Sequence, residues 1–379
     1  MKKKISILGS SGSIGGNALK IVRHLKNEFE IVALAAKSNI DVLEVQAKEF
    51  LPQIVGVLDE EKARELKKRL PNFHIVGGEE GILECATWES ADFVLSGISG
   101  FSGIKPTLAA IAKGKQIGLA NKEALVSAGN LVISLAKEKN VKIIPIDSEQ
   151  SGVFQCLKGE TSSKDVHRLV LTASGGPFFH ANMSELSGVT VDKALCHPNY
   201  RMGSKVTIDS STLMNKGLEM IEAHFLFGIP TDQIKVVVHP QQIIHSFIEF
   251  QDGCIIAQLS EPNMLFPIQF AMTYPERRKS PLPPFDFTKH SLHFYQVDLQ
   301  KFPCLDLAYS AIQEGGSLPC YMNAANEILV ERFLRQEIHW LDISKKLEKL
   351  MGKHEIQKNL NIEFLCSIDT EARKEALVV

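Results

Sequence analysis

Ile5-Ser6-Ile7-Leu8-Gly9-Ser10-Ser11-Gly12-Ser13-Ile14-Gly15 decides how this chain folds. The first four residues form a short apolar run that predicts a strand, and the apolar spacing from Ile14 to Leu25 predicts a helix. Between them Gly9, Gly12 and Gly15 form a G-x-x-G-x-x-G loop. Glycines let a backbone turn tightly and approach a phosphate closely, and a helix N-terminus offers unpaired N–H groups and the positive end of a dipole. Strand, glycine loop and helix in that order predict a dinucleotide cradle.

The same alternation continues outward. Ile31–Leu34, Ile54–Val57, Phe93–Leu95 and Ile143–Ile146 read as strands, with helical patterns between them such as Pro106–Lys113. That rhythm predicts an α/β fold with a Rossmann-like, doubly wound parallel sheet over residues 1–147. At the end of the second strand the chain reads Ala35-Ala36-Lys37-Ser38-Asn39. An NAD site usually has an acid there for the ribose hydroxyls. A lysine with two small polar residues suits a 2′-phosphate, so NADPH is the expected cofactor and Lys37 and Asn39 are expected to contact it. Asn121 and Glu123, in Leu119-Ala120-Asn121-Lys122-Glu123, and Gly203 complete the expected cofactor set.

Pro145-Ile146-Asp147-Ser148-Glu149 follows the last of these strands. Side chains alternate along a strand, so Asp147 and Glu149 are expected to point the same way, at the carboxyl edge of the sheet. Asn215-Lys216-Gly217-Leu218-Glu219 brings a third carboxylate one helical turn after an amide and a lysine. Three hard oxygen donors beside lysine suit Mg²⁺ or Mn²⁺ together with an anionic substrate. Zinc at His239 and His245 does not fit, because no Cys or His spacing supports it.

Residues 148–273 predict a second α/β domain. Its strands are Arg168–Thr172, Val236–His239, Ile243–Phe250 and Cys254–Gln258, the last two joined by the turn Gln251-Asp252-Gly253. Residues 274–298, rich in proline and basic groups, predict a linker. Residues 299–379 have helical spacing and predict a C-terminal helical domain. Polar clusters recur in the second domain: Leu171-Thr172-Ala173-Ser174-Gly175-Gly176-Pro177, the lid-like Cys196–Gly203, and Asp209–Lys216, where hydroxyls crowd ahead of Asn215 and Lys216. Together they are the donor set of a phosphate pocket, as the carboxylates are a metal set.

Composition narrows the classes. The chain has 379 residues, is 44% hydrophobic and 23% charged, and carries a formal charge of −2. That balance points to neither nucleic acid nor a membrane surface as partner. No apolar run approaches a membrane span. Lys2-Lys3-Lys4 is followed by too short an apolar stretch for a signal peptide, and the first strand begins too early for a transit peptide. The 7 cysteines are scattered without a Cys-x-x-Cys pair, which suits reduced thiols and a cytoplasmic location.

Taken in order, GSSGSIG at 9–15, LANKE at 119–123, DSE at 147–149, SGGP at 174–177, HPNY at 197–200, DSSTLMNKGLE at 209–219, HPQQIIHS at 239–246 and NAANE at 323–327 resemble the 1-deoxy-D-xylulose 5-phosphate reductoisomerase family nearly end to end. The resemblance implies a homodimer that rearranges a small phosphorylated sugar and reduces the product with NADPH, in the non-mevalonate route to isoprenoids. It implies Asp147, Glu149 and Glu219 as metal ligands, and Ser174, His197, Ser210, Asn215 and Lys216 as the pocket for the substrate phosphate. Lys122 and Ser148 match groups near the reacting oxygens, with Glu149 also facing substrate. Ser11, Ser13 and Ile14 match cofactor contacts, and residues 194–204 match a flap. Asp147, Glu149, Glu219, Lys122 and His197 are the expected catalytic residues. Two positions depart from the family pattern: Tyr200, followed by Arg201, stands where the flap usually has tryptophan, and Lys37 stands near a usual glycine. The rival readings are another NADP-dependent dehydrogenase, of the semialdehyde or homoserine type, and an NADP-sensing regulator. An acylating semialdehyde enzyme needs a reactive thiol, for which Cys156 and Cys196 are the nearest candidates. A regulator would not need the three carboxylates.

Overall fold

The computed structural model describes residues 2–159, 163–199 and 202–379. Strands and helices alternate from the start: β1 (Lys3–Leu8), α1 (Ser13–His24), β2 (Phe29–Ala36), α2 (Ile40–Phe50), β3 (Ile54–Val57), α3 (Glu60–Arg69), β4 (Ile75–Gly77), α4 (Gly78–Thr87), β5 (Phe93–Ser96), α5 (Ile104–Ala112), β6 (Gln116–Leu119), α6 (Glu123–Glu138) and β7 (Ile143–Pro145). Then come α7 (Ser148–Cys156), β8 (Val166–Ala173), α8 (Met183–Leu186), α9 (Val191–Leu195), α10 (Ser204–Ser211), α11 (Met214–Phe227), β9 (Ile234–Val238), β10 (Ile244–Phe250), β11 (Ile255–Leu259) and α12 (Leu265–Thr273). The chain ends with α13 (Pro303–Glu314), α14 (Leu318–Leu334), α15 (Trp340–Met351) and α16 (Ile362–Val378).

One compact unit takes Met1–Ala124, Asn130–Ser151 and Asn263–Pro284. Its sheet runs β4-β3-β2-β1-β5-β6-β7, and every pairing is parallel. Ile5, Ile7, Leu8, Leu34, Val55, Phe93, Leu95 and Ile117 are fully buried. Consecutive buried residues on one strand mean that both faces are covered, which is why these strands read as unbroken apolar runs. Strand order reverses at β1, with β2–β4 on one side and β5–β7 on the other. Ligands of such sheets bind at that reversal, beyond the carboxyl ends of the strands. The glycine loop leaves β1 there.

The expected strand character of Asp147 and Glu149 is corrected. β7 stops at Pro145, and Ser148 already opens α7. The Ser151 N–H donates to the Asp147 carbonyl at 2.8 Å, closing the first helical turn. Asp147 therefore sits at a helix start and Glu149 within its first turn. A helix N-terminus favours negative charge there, so the dipole holds the two carboxylates where strand alternation was expected to.

The other unit takes Leu125–Gly129, Gly152–Pro262 and Phe285–Val379. Its sheet has the order β11-β10-β8-β9, with β8 and β9 parallel and the remaining pairs antiparallel. The expected turn at 251–253 closes β10 onto β11. Gly253 has φ +84, and the Phe250 N–H donates to the Cys254 carbonyl at 2.9 Å. Helix α11 packs on α13, and Gly217 makes that approach possible: a Cβ there would lie 2.4 Å from the Ala308 Cβ. Helix α14 is buried along most of its length.

This grouping divides the chain differently from the expected boundaries at 147, 273 and 298. Helix α12 is buried from Pro267 to Met272 and packs on α1, so residues 263–284 join the first unit. Beyond Pro284, Tyr295 exchanges two 2.8 Å backbone hydrogen bonds with Val238 of β9, which ties the rest of the expected linker to the second unit. Helices α13–α16 belong to that same unit.

Candidate active site

The glycine loop is built so that side chains cannot fill it. Gly9 has φ +84, and a Cβ there would lie 2.6 Å from the Gly97 carbonyl oxygen. A Cβ on Gly15 would lie 2.4 Å from the Ser10 Cα. Helix α1 starts at Ser13 with no side-chain cap, which leaves its first N–H groups for a ligand. Ser11 and Ile14 are half-buried, and Gly12 and Ser13 are exposed. The loop is held from beneath by Gln46 on α2, whose Nε2 donates to the Ser10 carbonyl at 2.9 Å. Sequence reading missed Gln46, because a lone glutamine in a helix carries no signal. Lys37, Ser38 and Asn39 are exposed at the end of β2. Asn39 also caps α2, its Oδ1 accepting from the Val42 N–H at 3.3 Å.

Asn121, an expected cofactor contact, is also bonded within the fold. Its amide donates to the carbonyls of Ile98 and Gly100, the latter at 2.8 Å, and its Oδ1 accepts from the Ala124 N–H at 2.6 Å. Both amide hydrogens are spent, so the side chain ties the loop after β5 to the start of α6. Glu123 is buried in the first turn of α6.

Next to it, Lys122 Nζ lies 2.6 Å from Asp147 Oδ2. Burial pushes the Asp147 carboxyl above the usual carboxylate range. The Lys122 ammonium opposes that shift, and Glu149 adds to it. Ser148 Oγ donates to Glu149 Oε2 at 2.6 Å, and Glu149 is 4% exposed.

In the second unit β8 delivers Ser174 into a turn of two glycines with positive φ. A Cβ on Gly176 would lie 2.8 Å from the Ser210 carbonyl oxygen, so this turn presses directly against the end of α10. His197 Nε2 and Ser174 Oγ are 3.0 Å apart. The Asn199 N–H donates to His197 Nδ1 at 3.1 Å, so in the neutral ring the proton sits on Nε2 and points at Ser174. Burial holds the His197 pKa below the ordinary histidine value, which favours that neutral form. Ser174 Oγ also accepts from the Gly176 N–H at 3.1 Å. With two bonds accepted, its own O–H is left to donate to a ligand.

Ser210 is buried at the end of α10, and Leu213, in the left-handed region at φ +59, turns the chain into α11. Asn215, Lys216 and Glu219 then share one face. Asn215 Nδ2 donates to Glu219 Oε1 at 2.5 Å, and Lys216 Nζ pairs with Glu219 Oε2. Lys216 is 4% exposed and Glu219 2%. Gly203, an expected cofactor contact, caps α10 and accepts from the Thr207 N–H at 3.0 Å. Tyr200 and Arg201 lie outside the described residues.

Among the described residues Asp147, Glu149 and Glu219 form one group: each offers a carboxylate oxygen, and these atoms lie within 4.8 Å of one another.

Three family profiles match the chain in order: 1-deoxy-D-xylulose 5-phosphate reductoisomerase over 5–129, its C-terminal domain over 143–227, and the DXP reductoisomerase C-terminal domain over 259–375. The chain belongs to the 1-deoxy-D-xylulose 5-phosphate reductoisomerase family. The reductoisomerase of Protochlamydia amoebophila is 54% identical over 375 residues, covering 99% of this chain and 97% of that protein. That of Acetivibrio thermocellus is 51% identical over 377 residues, covering 99% and 98%. The Zymomonas mobilis reductoisomerase, solved with NADPH, superimposes with a TM-score of 0.93 at 38% identity, over 99% of this chain and 98% of that one. A reductoisomerase solved with NADPH, fosmidomycin and magnesium superimposes with a TM-score of 0.94 at 39% identity, over 99% and 97%.

Membership in the reductoisomerase family agrees with the thiols. Burial pushes Cys156 up to about 11, which keeps it protonated and a poor nucleophile near neutral pH. Cys196 is exposed in the segment after α9. No helix among the described residues is long and apolar enough to cross a membrane.

Proposed function

We propose that this chain converts 1-deoxy-D-xylulose 5-phosphate to 2-C-methyl-D-erythritol 4-phosphate, using NADPH and a divalent metal, Mg²⁺ or Mn²⁺. The observation that carries the reading is the carboxylate group of Asp147, Glu149 and Glu219, with oxygens within 4.8 Å of one another. An octahedral Mg²⁺ holds oxygens at about 2.1 Å, so opposite ligands are about 4.2 Å apart. Oxygens no more than 4.8 Å apart can converge on one such ion. Three carboxylates against the two ammonium groups of Lys122 and Lys216 leave one excess negative charge, which a dication turns into one excess positive charge that suits an anionic substrate.

When bound, the metal supplies Lewis acidity to a substrate carbonyl and its neighbouring oxygen, and NADPH supplies a hydride. The chain's own residues do the rest. Lys122, held on Asp147, places a donor where an oxyanion develops, and Ser148 sits beside Glu149 at the same point. Ser174, with its O–H left to donate, Ser210, and the N–H donors of Asn215 and Lys216 take the phosphate. Neutral His197 orients Ser174. Binding energy collected at the phosphate, away from the reacting carbons, holds the substrate in register. Gly9, Gly12 and Gly15 admit the cofactor diphosphate to the start of α1, and Lys37 meets the 2′-phosphate. The active form is a homodimer in the cytoplasm.

Oxidation of NADPH in the presence of 1-deoxy-D-xylulose 5-phosphate, followed by loss of the reduced nicotinamide's absorbance, tests the reading. Turnover that is lost in EDTA and restored by Mg²⁺ or Mn²⁺ is expected. Metal-independent turnover, or none with this substrate under any metal, would overturn it. Light scattering at working concentration tests the dimer.

A further inference from the structure

The chemistry of the pocket does not explain why Asp209 with Asn326, and Ser211 with Trp340, are buried polar pairs bonded across more than a hundred residues. Asn326 Nδ2 donates to Asp209 Oδ1 at 2.9 Å, and Trp340 Nε1 donates to Ser211 Oγ at 2.9 Å. Asp209 is 1% exposed, Ser211 and Asn326 are fully buried, and Trp340 is 4% exposed. These two acceptors flank Ser210. The Trp340 ring also meets Phe178 edge-on, with centroids 5.3 Å apart and planes at 74°. Phe178 follows directly on the Ser174-Gly175-Gly176-Pro177 turn. One side chain from the start of α15 thus touches both arms of the phosphate pocket: the Ser174 turn through its ring, and the end of α10 through its N–H.

We propose that Trp340, assisted by Asn326, is a positioning residue for the substrate phosphate, fixing Ser174 and Ser210 at the separation that lets both donate to one phosphate. The proposal rests on the phosphate-pocket reading above and goes beyond it, because neither residue belongs to the expected site. A side chain that served the core alone could fill the same volume without an N–H. Here the N–H is placed on the residue next to Ser210, and Ser211 Oγ in turn donates to the Ile208 carbonyl at 2.7 Å, which orients its lone pairs toward the indole.

The test uses the full chain with Trp340→Phe, which keeps a ring against Phe178 and removes the N–H. Ser211→Ala removes the acceptor of the same bond and reads it independently if Trp340→Phe fails to fold. KM for 1-deoxy-D-xylulose 5-phosphate and the inhibition constant of inorganic phosphate should rise together, by roughly 3- to 10-fold, the range expected for one net hydrogen bond. KM for NADPH should move less than about 2-fold. The double variant should be no worse than the poorer single one, since both remove one bond. If both single variants leave the two phosphate constants unchanged, or if KM for NADPH rises in step with them, Trp340 does not position the pocket. Lys216→Met separates the two levels of inference. If it leaves both phosphate constants unchanged, the pocket reading itself fails and the proposal falls with it. If it weakens them while Trp340→Phe and Ser211→Ala do not, only the proposal falls.

Discussion

Glu149→Gln should make the metal-free protein more stable while removing most of its activity. Glu149 is buried beside Asp147, and their carboxylate oxygens lie within 4.8 Å. At an effective dielectric constant of about 20, two unit charges at that distance repel by about 3.5 kcal/mol. The Lys122 ammonium, 2.6 Å from Asp147, already offsets part of this. The raised Asp147 pKa is the residual strain, with burial as its largest cause and Glu149 a further one. An amide at 149 keeps an oxygen for the Ser148 hydroxyl and removes the charge. We expect about 1–2 kcal/mol of stabilisation without metal, a melting temperature higher by roughly 2–8 °C for a unit of this size. Turnover should fall about 100-fold or more, as for other lost charge-stabilising groups. The assay is thermal melting in EDTA and in excess Mg²⁺, beside steady-state turnover. In the parent chain Mg²⁺ should raise the melting temperature, and in the variant that rise should shrink. A variant that melts lower in EDTA yet keeps the full Mg²⁺ shift would show Glu149 to be a structural acceptor and would refute the argument.

Three further outcomes follow from the same geometry. Burial lowers the pKa of His197, His239 and His354 below the unfolded value of about 6.5. As pH falls the unfolded chain takes up those protons first, so stability present above about pH 6.5 is lost as pH falls toward the lowered values; a urea midpoint that did not drop between pH 7.5 and 5.5 would contradict this. Asn121→Leu should cost about 2–4 kcal/mol, because the carbonyls of Ile98 and Gly100 and the Ala124 N–H lose their shared partner; an unchanged denaturation midpoint would return Asn121 to a purely ligand-facing role. Gly15→Ala should abolish NADPH binding or folding, since a methyl group there lies 2.4 Å from the Ser10 Cα; fluorescence titration with NADPH, beside circular dichroism, separates the two, and normal binding by the variant would sink the cradle geometry.

Much of the first unit was legible because a parallel sheet writes itself into sequence. Strands covered on both faces need apolar residues at every position, and β1, β2, β3, β5 and β7 appear as such runs. β4 did not, because Ile75-Val76-Gly77 is three residues long and ends in glycine. Asp147 and Glu149 stand out in the sequence by their chemistry, and it is their expected support that the structure corrects. A period-two argument needs a strand that continues, and here the strand stops at Pro145, two residues before Asp147. The end of the second domain was misplaced for a related reason. Helix α12 is apolar nearly all round, and such a helix announces burial without naming what covers it.

The polar motifs divide along a similar line. In the sequence Asn121 stands in LANKE and Asn326 in NAANE, and polar residues in such motifs invite a ligand-binding interpretation. Inside a fold, the same amide can serve a different need. Backbone carbonyls in loops that carry function have no ladder to join, and a buried carboxylate such as Asp209 has no water. An asparagine, with two donors and one acceptor in fixed geometry, meets both needs. Asn121 therefore holds the segment beside Lys122, and Asn326 holds the segment beside Ser210. The Ser174 hydroxyl keeps its donor uncommitted, whereas Asn121 spends both amide hydrogens within the fold. That difference depends on contacts that neither spacing nor composition encodes.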